Sequence, residues 1–161
     1  MATTSEGIRR SIAVLEGVGS CGGGYVGSTP VHIYLQHVHQ NTSNYADIEL
    51  QLVFVRVVMS ILLNTRSEEG QPQRAPRDAQ VEAVHRIVYN VGDTILLART
   101  GYGKSIVFQA VSVILPDKVT IIIVPLSMLG EDQCRSIQRF PTTTPIFIDE
   151  TVVKVCYHTP P

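Results

Sequence analysis

No excess of charge of either sign marks this sequence: 13 lysines and arginines stand against 14 aspartates and glutamates, spread along the chain without a run. That balance offers no electrostatic argument for a nucleic-acid partner, so any such role has to rest on motifs. Cysteine is scarce as well. Cys21, Cys134 and Cys156 lie far apart, without the close pairings that zinc sites and disulfide frameworks use, and read as ordinary intracellular thiols. Long apolar runs are also missing. The longest, Leu52 to Leu63, is interrupted by Arg56 and falls short of the ~18 residues of a membrane span, so it reads as a buried strand or helix. Near the N-terminus the apolar run Ile12 to Leu15 is too short for a signal-peptide core, which predicts a protein that is not secreted. Without a secretory route the acceptor-like Asn41-Thr42-Ser43 carries no weight.

What is present is enough apolar residue for one compact domain: 44% of 161 residues. The composition shifts at Thr65 to Arg77, where charge, glycine and proline replace apolar periodicity, and a linker is expected there. It separates an unassigned N-terminal region, 1–70, from a second region, 71–161. In the first, Ile48, Leu50, Leu52 and Phe54 alternate against Glu49 and Gln51 and favour a strand, while the second half of that stretch, apolar throughout, stays open. In the second, Asp78 is a plausible helix N-cap, and Val81, Val84, Ile87 and Val88 form one apolar face that Gly92 ends. Then come a short strand Thr94–Leu97, a helix from about Lys104 to Leu115, an apolar strand Val119–Val124 and a helix from about Ser127 to Phe140. This order predicts an α/β fold with a mostly parallel sheet covered on both faces.

Between the first of those strands and the helix after it lies Ala98-Arg99-Thr100-Gly101-Tyr102-Gly103-Lys104-Ser105. It matches the phosphate-loop pattern Gly-x-x-x-x-Gly-Lys-Ser/Thr apart from Ala98. Gly101 and Gly103 allow positive φ and inward-facing N–H groups. Lys104 places a cation beside the β and γ phosphates, and Ser105 offers a hydroxyl to Mg²⁺. The dipole of the following helix adds to the attraction. ATP with Mg²⁺ is the expected ligand; a tight turn with a solvated Lys104 is the bland alternative. Arg99 receives no role.

Thr100-Gly101-Tyr102-Gly103-Lys104-Ser105 with Phe108-Gln109, and Pro125-Leu126-Ser127-Met128-Leu129 followed by Asp132-Gln133, resemble the RecQ-like branch of the superfamily 2 (DEAD/DEAH-box type) ATP-dependent DNA helicases. Arg77-x-x-Gln80 before an amphipathic helix is similar to that family's Q motif. The resemblance runs from about Arg74 to Phe140. It implies the N-terminal part of a first RecA-like lobe at 71–161, a partial P-loop domain. Gln80 would then read adenine, and Thr100 to Ser105 would hold the phosphates and Mg²⁺. Pro125 and Ser127 would stand in the motif that touches the single-stranded DNA backbone, although Ser127 can equally be a helix cap. The resemblance also implies single-stranded or duplex DNA as partner and a nuclear, intracellular location.

Hydrolysis in such enzymes needs a Walker B carboxylate pair and an arginine from a second lobe. Ile146-Phe147-Ile148-Asp149-Glu150 looks superficially like Walker B, but Thr151-Val152 follows where a small residue and a histidine are expected. The tail Thr151 to Pro161 matches no family motif. The expectation is therefore a fragment that binds ATP and nucleic acid without being catalytically complete alone. The alternatives are a non-catalytic remnant acting through partner binding, and a small P-loop phosphotransferase using Asp149. Two weaker patterns lie upstream. Gly17-Val18-Gly19-Ser20-Cys21-Gly22 fits a dinucleotide fingerprint, but further glycines and Pro30 disfavour the helix it needs, and a flexible loop is preferred. His32, His37 and His39 lack neighbouring cysteines or carboxylates and read as surface or half-buried side chains rather than metal ligands.

Overall fold

The computed structural model describes residues 5–21, 25–26, 29–45, 47–64, 72–138 and 143–148. The chain divides into two compact units, residues 1–120 and 121–161.

In the first unit, α1 (Ser5–Cys21) buries Ile8, Ile12 and Leu15, which recur at helical spacing. It continues through the start of the glycine-rich segment, so Gly17 to Cys21, expected in a flexible loop, are helical, and Gly22 to Gly24 lie outside the described residues. A short antiparallel ladder follows, β1 (Tyr25–Val26) on β2 (Thr29–Pro30). α2 (Val31–Tyr45) turns Leu35, Val38 and Thr42 inward. On it His37 is exposed and His39 half-buried. Among the described residues no group of three or more potential ligands could hold a metal ion.

α3 (Ile48–Asn64) is where the strand expectation fails. Asp47 caps it, its Oδ1 accepting from the N–H groups of Glu49 at 3.0 Å and Leu50 at 3.2 Å. The buried set Leu50, Gln51, Phe54, Val55, Val57, Val58, Met59 and Leu62 follows spacings of three and four, not two. Its exposed Arg56 meets Asp78 on α4 at 2.7 Å. No helix among the described residues is long and apolar enough to cross a membrane.

α4 (Asp78–Val88) and α5 (Ser105–Ile114) both pack on α3 and on each other. α4 is ended by Asn90, not Gly92. Asn90 takes φ +55°, Val91 N–H reaches back to the Arg86 carbonyl at 2.9 Å, and Asn90 N–H reaches Ile87 at 3.5 Å, the paired bonds of a Schellman stop.

The expected α/β fold with a mostly parallel sheet is thus overturned. Among the described residues the only ladder is β1–β2, and the other regular elements are helices. Thr94–Leu97 keeps a strand's alternation, with Ile95 87% and Leu97 91% exposed and Thr94 and Leu96 partly covered, but it joins no ladder. A strand exists only through its hydrogen-bonded neighbours. The helices expected to cover a sheet, α4 and α5, instead bury their apolar faces against α3.

A buried polar chain ties α2, α3 and α4 together. Thr42 Oγ1 and the Tyr89 hydroxyl share a hydrogen bond of 2.7 Å, Gln51 Nε2 donates to the Thr42 carbonyl at 3.3 Å, and His85 Nε2 donates to Gln51 Oε1 at 2.9 Å. The His39 ring lies 5.4 Å from that of Tyr89. Burial pushes Tyr89 up to about 12 against the opposing Thr42 bond. Burial also lowers His39 below its ordinary 6.5, opposed by Asp117, and lowers His85, opposed by Glu82 and helped by Arg86. As pH falls through 6.5 the unfolded chain takes up these protons first. The histidine contribution to stability is therefore complete above that pH and is lost progressively below it. Melting temperature measured from about pH 8 to about pH 5 should fall on the acid side. A His39→Gln/His85→Gln variant should fall less steeply, and parallel profiles for the two proteins would contradict this.

In the second unit, α6 (Ser127–Ile137) buries Gly130 and Ile137. It ends at Ile137, shorter than the helix to Phe140 read from the sequence. Phe147 lies so close over Gly130 that a Cβ there would collide with its ring. Thr143 Oγ1 donates to the Ile137 carbonyl at 2.7 Å. Ile121 and Ile123, expected inside a sheet, are 82% and 93% exposed.

Candidate nucleotide-binding site

The site begins at the first turn of α4. Arg77, with φ −82° and ψ 149°, is the N-cap, and Asp78 is the first helical residue, one position from the expected cap. An arginine side chain cannot accept a hydrogen bond, so the start is fixed from the other side. Gln80 Oε1 accepts the Arg77 N–H at 2.8 Å, while Gln80 N–H donates to the Arg77 carbonyl at 2.9 Å.

The other end of the same amide reaches the loop expected to hold phosphate. Gln80 Nε2 donates to the carbonyls of Tyr102 at 2.9 Å and Gly103 at 3.1 Å. Gln80 is buried at 4% exposure, so it supports the loop from beneath instead of projecting into solvent. Gly103 makes this approach possible: its φ is +86°, and a Cβ there would stand 2.9 Å from Gln80 Nε2. Gly101, at φ +78°, meets nothing and is required for its backbone conformation alone.

Above the amide, Tyr102 N–H donates to the Arg99 carbonyl at 3.2 Å. Lys104 is exposed and folds its ammonium onto the loop, donating to the carbonyls of Ala98 at 2.8 Å and Arg99 at 3.0 Å. It caps α5, which starts at Ser105, one residue later than expected. The Gly103 and Lys104 carbonyls accept from Ile106 and Val107, each at 3.2 Å. The result is a backbone turn with two positive-φ glycines, a helix N-terminus behind it and a primary ammonium held over it. A turn of this kind can attract an anion, and the ammonium can exchange carbonyl partners for phosphate oxygens.

Gln80, Thr100, Gly101, Tyr102, Gly103, Lys104 and Ser105 are thus gathered at one place. Pro125 and Ser127 belong to the second unit, where both are exposed. The N-cap of α6 is Leu126, with no side-chain bond, and Ser127 is the first helical residue, so the capping role for Ser127 is not observed. Asp149 and Glu150 lie outside the described residues.

Arg77 was not singled out by its own side chain in the sequence, yet its guanidinium sits 4.3 Å from the centre of the Tyr102 ring. The spacing Arg77-x-x-Gln80 held a signal for the local geometry, because a glutamine three residues after a helix cap reaches back to it. A cleft of about 890 Å³ between α3 and α4, lined by Arg56, Asp78, His85, Arg86 and Tyr89 among others, contains no loop residue. Its lining holds neither a glycine nor a lysine, the residues that give the loop its inward-facing N–H groups and its ammonium.

A family model described as DEAD/DEAH box helicase matches residues 77–157. The match starts at the cap of α4 and passes through the loop and α6. It extends beyond Phe140 into the tail that the motifs alone leave outside the family. No curated protein and no solved structure matches the chain significantly.

Proposed function

The chain belongs to the DEAD/DEAH box helicase family, and on that premise we propose that it is the ATP-binding, nucleic-acid-binding part of a RecQ-like DNA helicase. The observation that carries this reading is the loop itself: Gly101 and Gly103 at positive φ, Lys104 at the start of α5, and Gln80 fastened beneath. In it, Lys104 turns from the Ala98 and Arg99 carbonyls to the β and γ phosphates. The N-terminus of α5 adds its dipole. Ser105, half-buried at the first position of that helix, would hold Mg²⁺, whose charge offsets that of the phosphates. Ser127 and the first N–H groups of α6, exposed beside Pro125, contact the DNA backbone. The 161 residues alone bind nucleotide without turning it over, because Asp149-Glu150 is followed by Thr151-Val152 and not by the residues the family pattern puts there.

Gln80 also supplies base selectivity. Both Nε2 hydrogens are engaged by the loop, and one lone pair of Oε1 is engaged by Arg77 N–H. The oxygen has capacity for a second donor. Adenine offers an N6 amine, whereas guanine presents the O6 acceptor at the same edge. The protein should therefore prefer Mg-ATP to Mg-GTP by about threefold to tenfold, the range of one net hydrogen bond. Gln80→Ala should narrow that ratio while weakening both nucleotides through loss of loop support. Competition titration checks this, and equal binding of the two nucleotides by the unmodified protein would remove the role.

A further inference from the structure

We propose that the Tyr102 ring is a positioning element that, by holding the Arg77 guanidinium, couples base recognition on α4 to the phosphate loop. This rests on the nucleotide-binding reading and adds a residue whose side chain that reading leaves without a task. The sequence placed Tyr102 among the loop residues Thr100 to Ser105 expected to hold the phosphates.

Three contacts bring the helix start and the loop together. Gln80 Nε2 bonds the Tyr102 and Gly103 carbonyls, the Gly103 backbone approaches so closely that it admits no Cβ, and the Arg77 cation stacks on the Tyr102 face at 4.3 Å. The first two fix Gln80 to the loop backbone. The third fixes the residue just before the helix, whose N–H is the donor that orients Gln80 Oε1. Arg77 is exposed and Tyr102 half-covered, so the pair can form and open without disturbing the core. With the pair closed, the Oε1 that meets the base and the amides that meet the phosphates are held in one arrangement before ligand arrives. Preorganisation of this kind raises affinity only for a ligand that uses both ends. A triphosphate without a base uses one end and should be indifferent to it.

The experiment measures Mg-ATP, Mg-GTP and Mg-tripolyphosphate affinities for the unmodified chain, Tyr102→Phe, Tyr102→Leu and Arg77→Ala. Tyr102→Phe keeps the aromatic face and should keep the ATP-over-GTP ratio. Tyr102→Leu keeps bulk without the face and should reduce that ratio about twofold to fivefold, the range of an exposed cation–π pair. In Tyr102→Leu, a change within the loop, tripolyphosphate affinity should fall by less than that of Mg-ATP. Arg77→Ala should reproduce the leucine effect, and the double variant should lose no more than either single one. An unaltered ratio in Tyr102→Leu would overturn the proposal. So would a parallel loss for tripolyphosphate, which would place Tyr102 in the phosphate cradle itself, or an equal loss in Tyr102→Phe, which would assign the effect to the hydroxyl. Failure of the unmodified chain to bind any of the three ligands would instead sink the nucleotide-binding reading, and the coupling with it.

Discussion

Mg-ATP affinity is expected to fall about tenfold to hundredfold in Lys104→Ala, the cost of one or more lost hydrogen bonds from a charged donor to phosphate. In the unliganded loop the ammonium is satisfied by the Ala98 and Arg99 carbonyls, at 2.8 and 3.0 Å, so binding exchanges partners and does not start from a free cation. That exchange predicts weak affinity overall but strong dependence on the lysine. Because Lys104 is exposed, its loss should leave the melting temperature nearly unchanged. Titration calorimetry on both proteins, with a thermal melt of each, separates lost binding from lost fold. Equal affinities would reduce Gly101 to Lys104 to a tight turn.

The second large effect is structural. Phe54 is fully buried at the middle of α3, stacked with His39 at a ring distance of 6.3 Å, and α3 packs against α1, α2, α4 and α5. Phe54→Ala should cost about 3–5 kcal/mol through lost burial and the cavity left behind. In a chain of this size that corresponds to roughly 2–4 °C per kcal/mol, or a melting temperature lower by ~6–20 °C. Val53, the neighbouring residue and 37% exposed, should tolerate alanine at well under half that cost. Similar small losses at both positions would mean that α3 is not the central element.

These two sites show what the sequence made legible and what it hid. The loop was readable because each residue type carries its own requirement: Gly101 and Gly103 for positive φ, and Lys104 for charge just before a helix. The helix α4 was readable from its apolar spacing, and helices were also expected at α5 and α6, although Asn90 rather than Gly92 ends the first and Ser105 rather than Lys104 begins the second. α3 was misread because Ile48, Leu50, Leu52 and Phe54 alternate by chance at its start. Asp47, whose carboxylate caps the helix, was the overlooked correction. Thr94–Leu97 and Val119–Val124 show the opposite limit. β-branched composition announces strands, but pairing depends on partners that no local pattern supplies, and neither run enters a ladder. The Gln80 contacts were hidden for a related reason: an amide 22 residues before Tyr102 in sequence reaches its carbonyl only after the two segments pack.

Nucleotide placement on the loop is tested most directly by backbone amide hydrogen exchange with and without Mg-ATP, read residue by residue. Protection should concentrate at Gly101 to Ser105 and at the first turn of α4 around Gln80, and should disappear in Lys104→Ala. Protection confined to the cleft lined by Arg56, His85 and Arg86, or no ligand-dependent protection in the loop, would contradict the account.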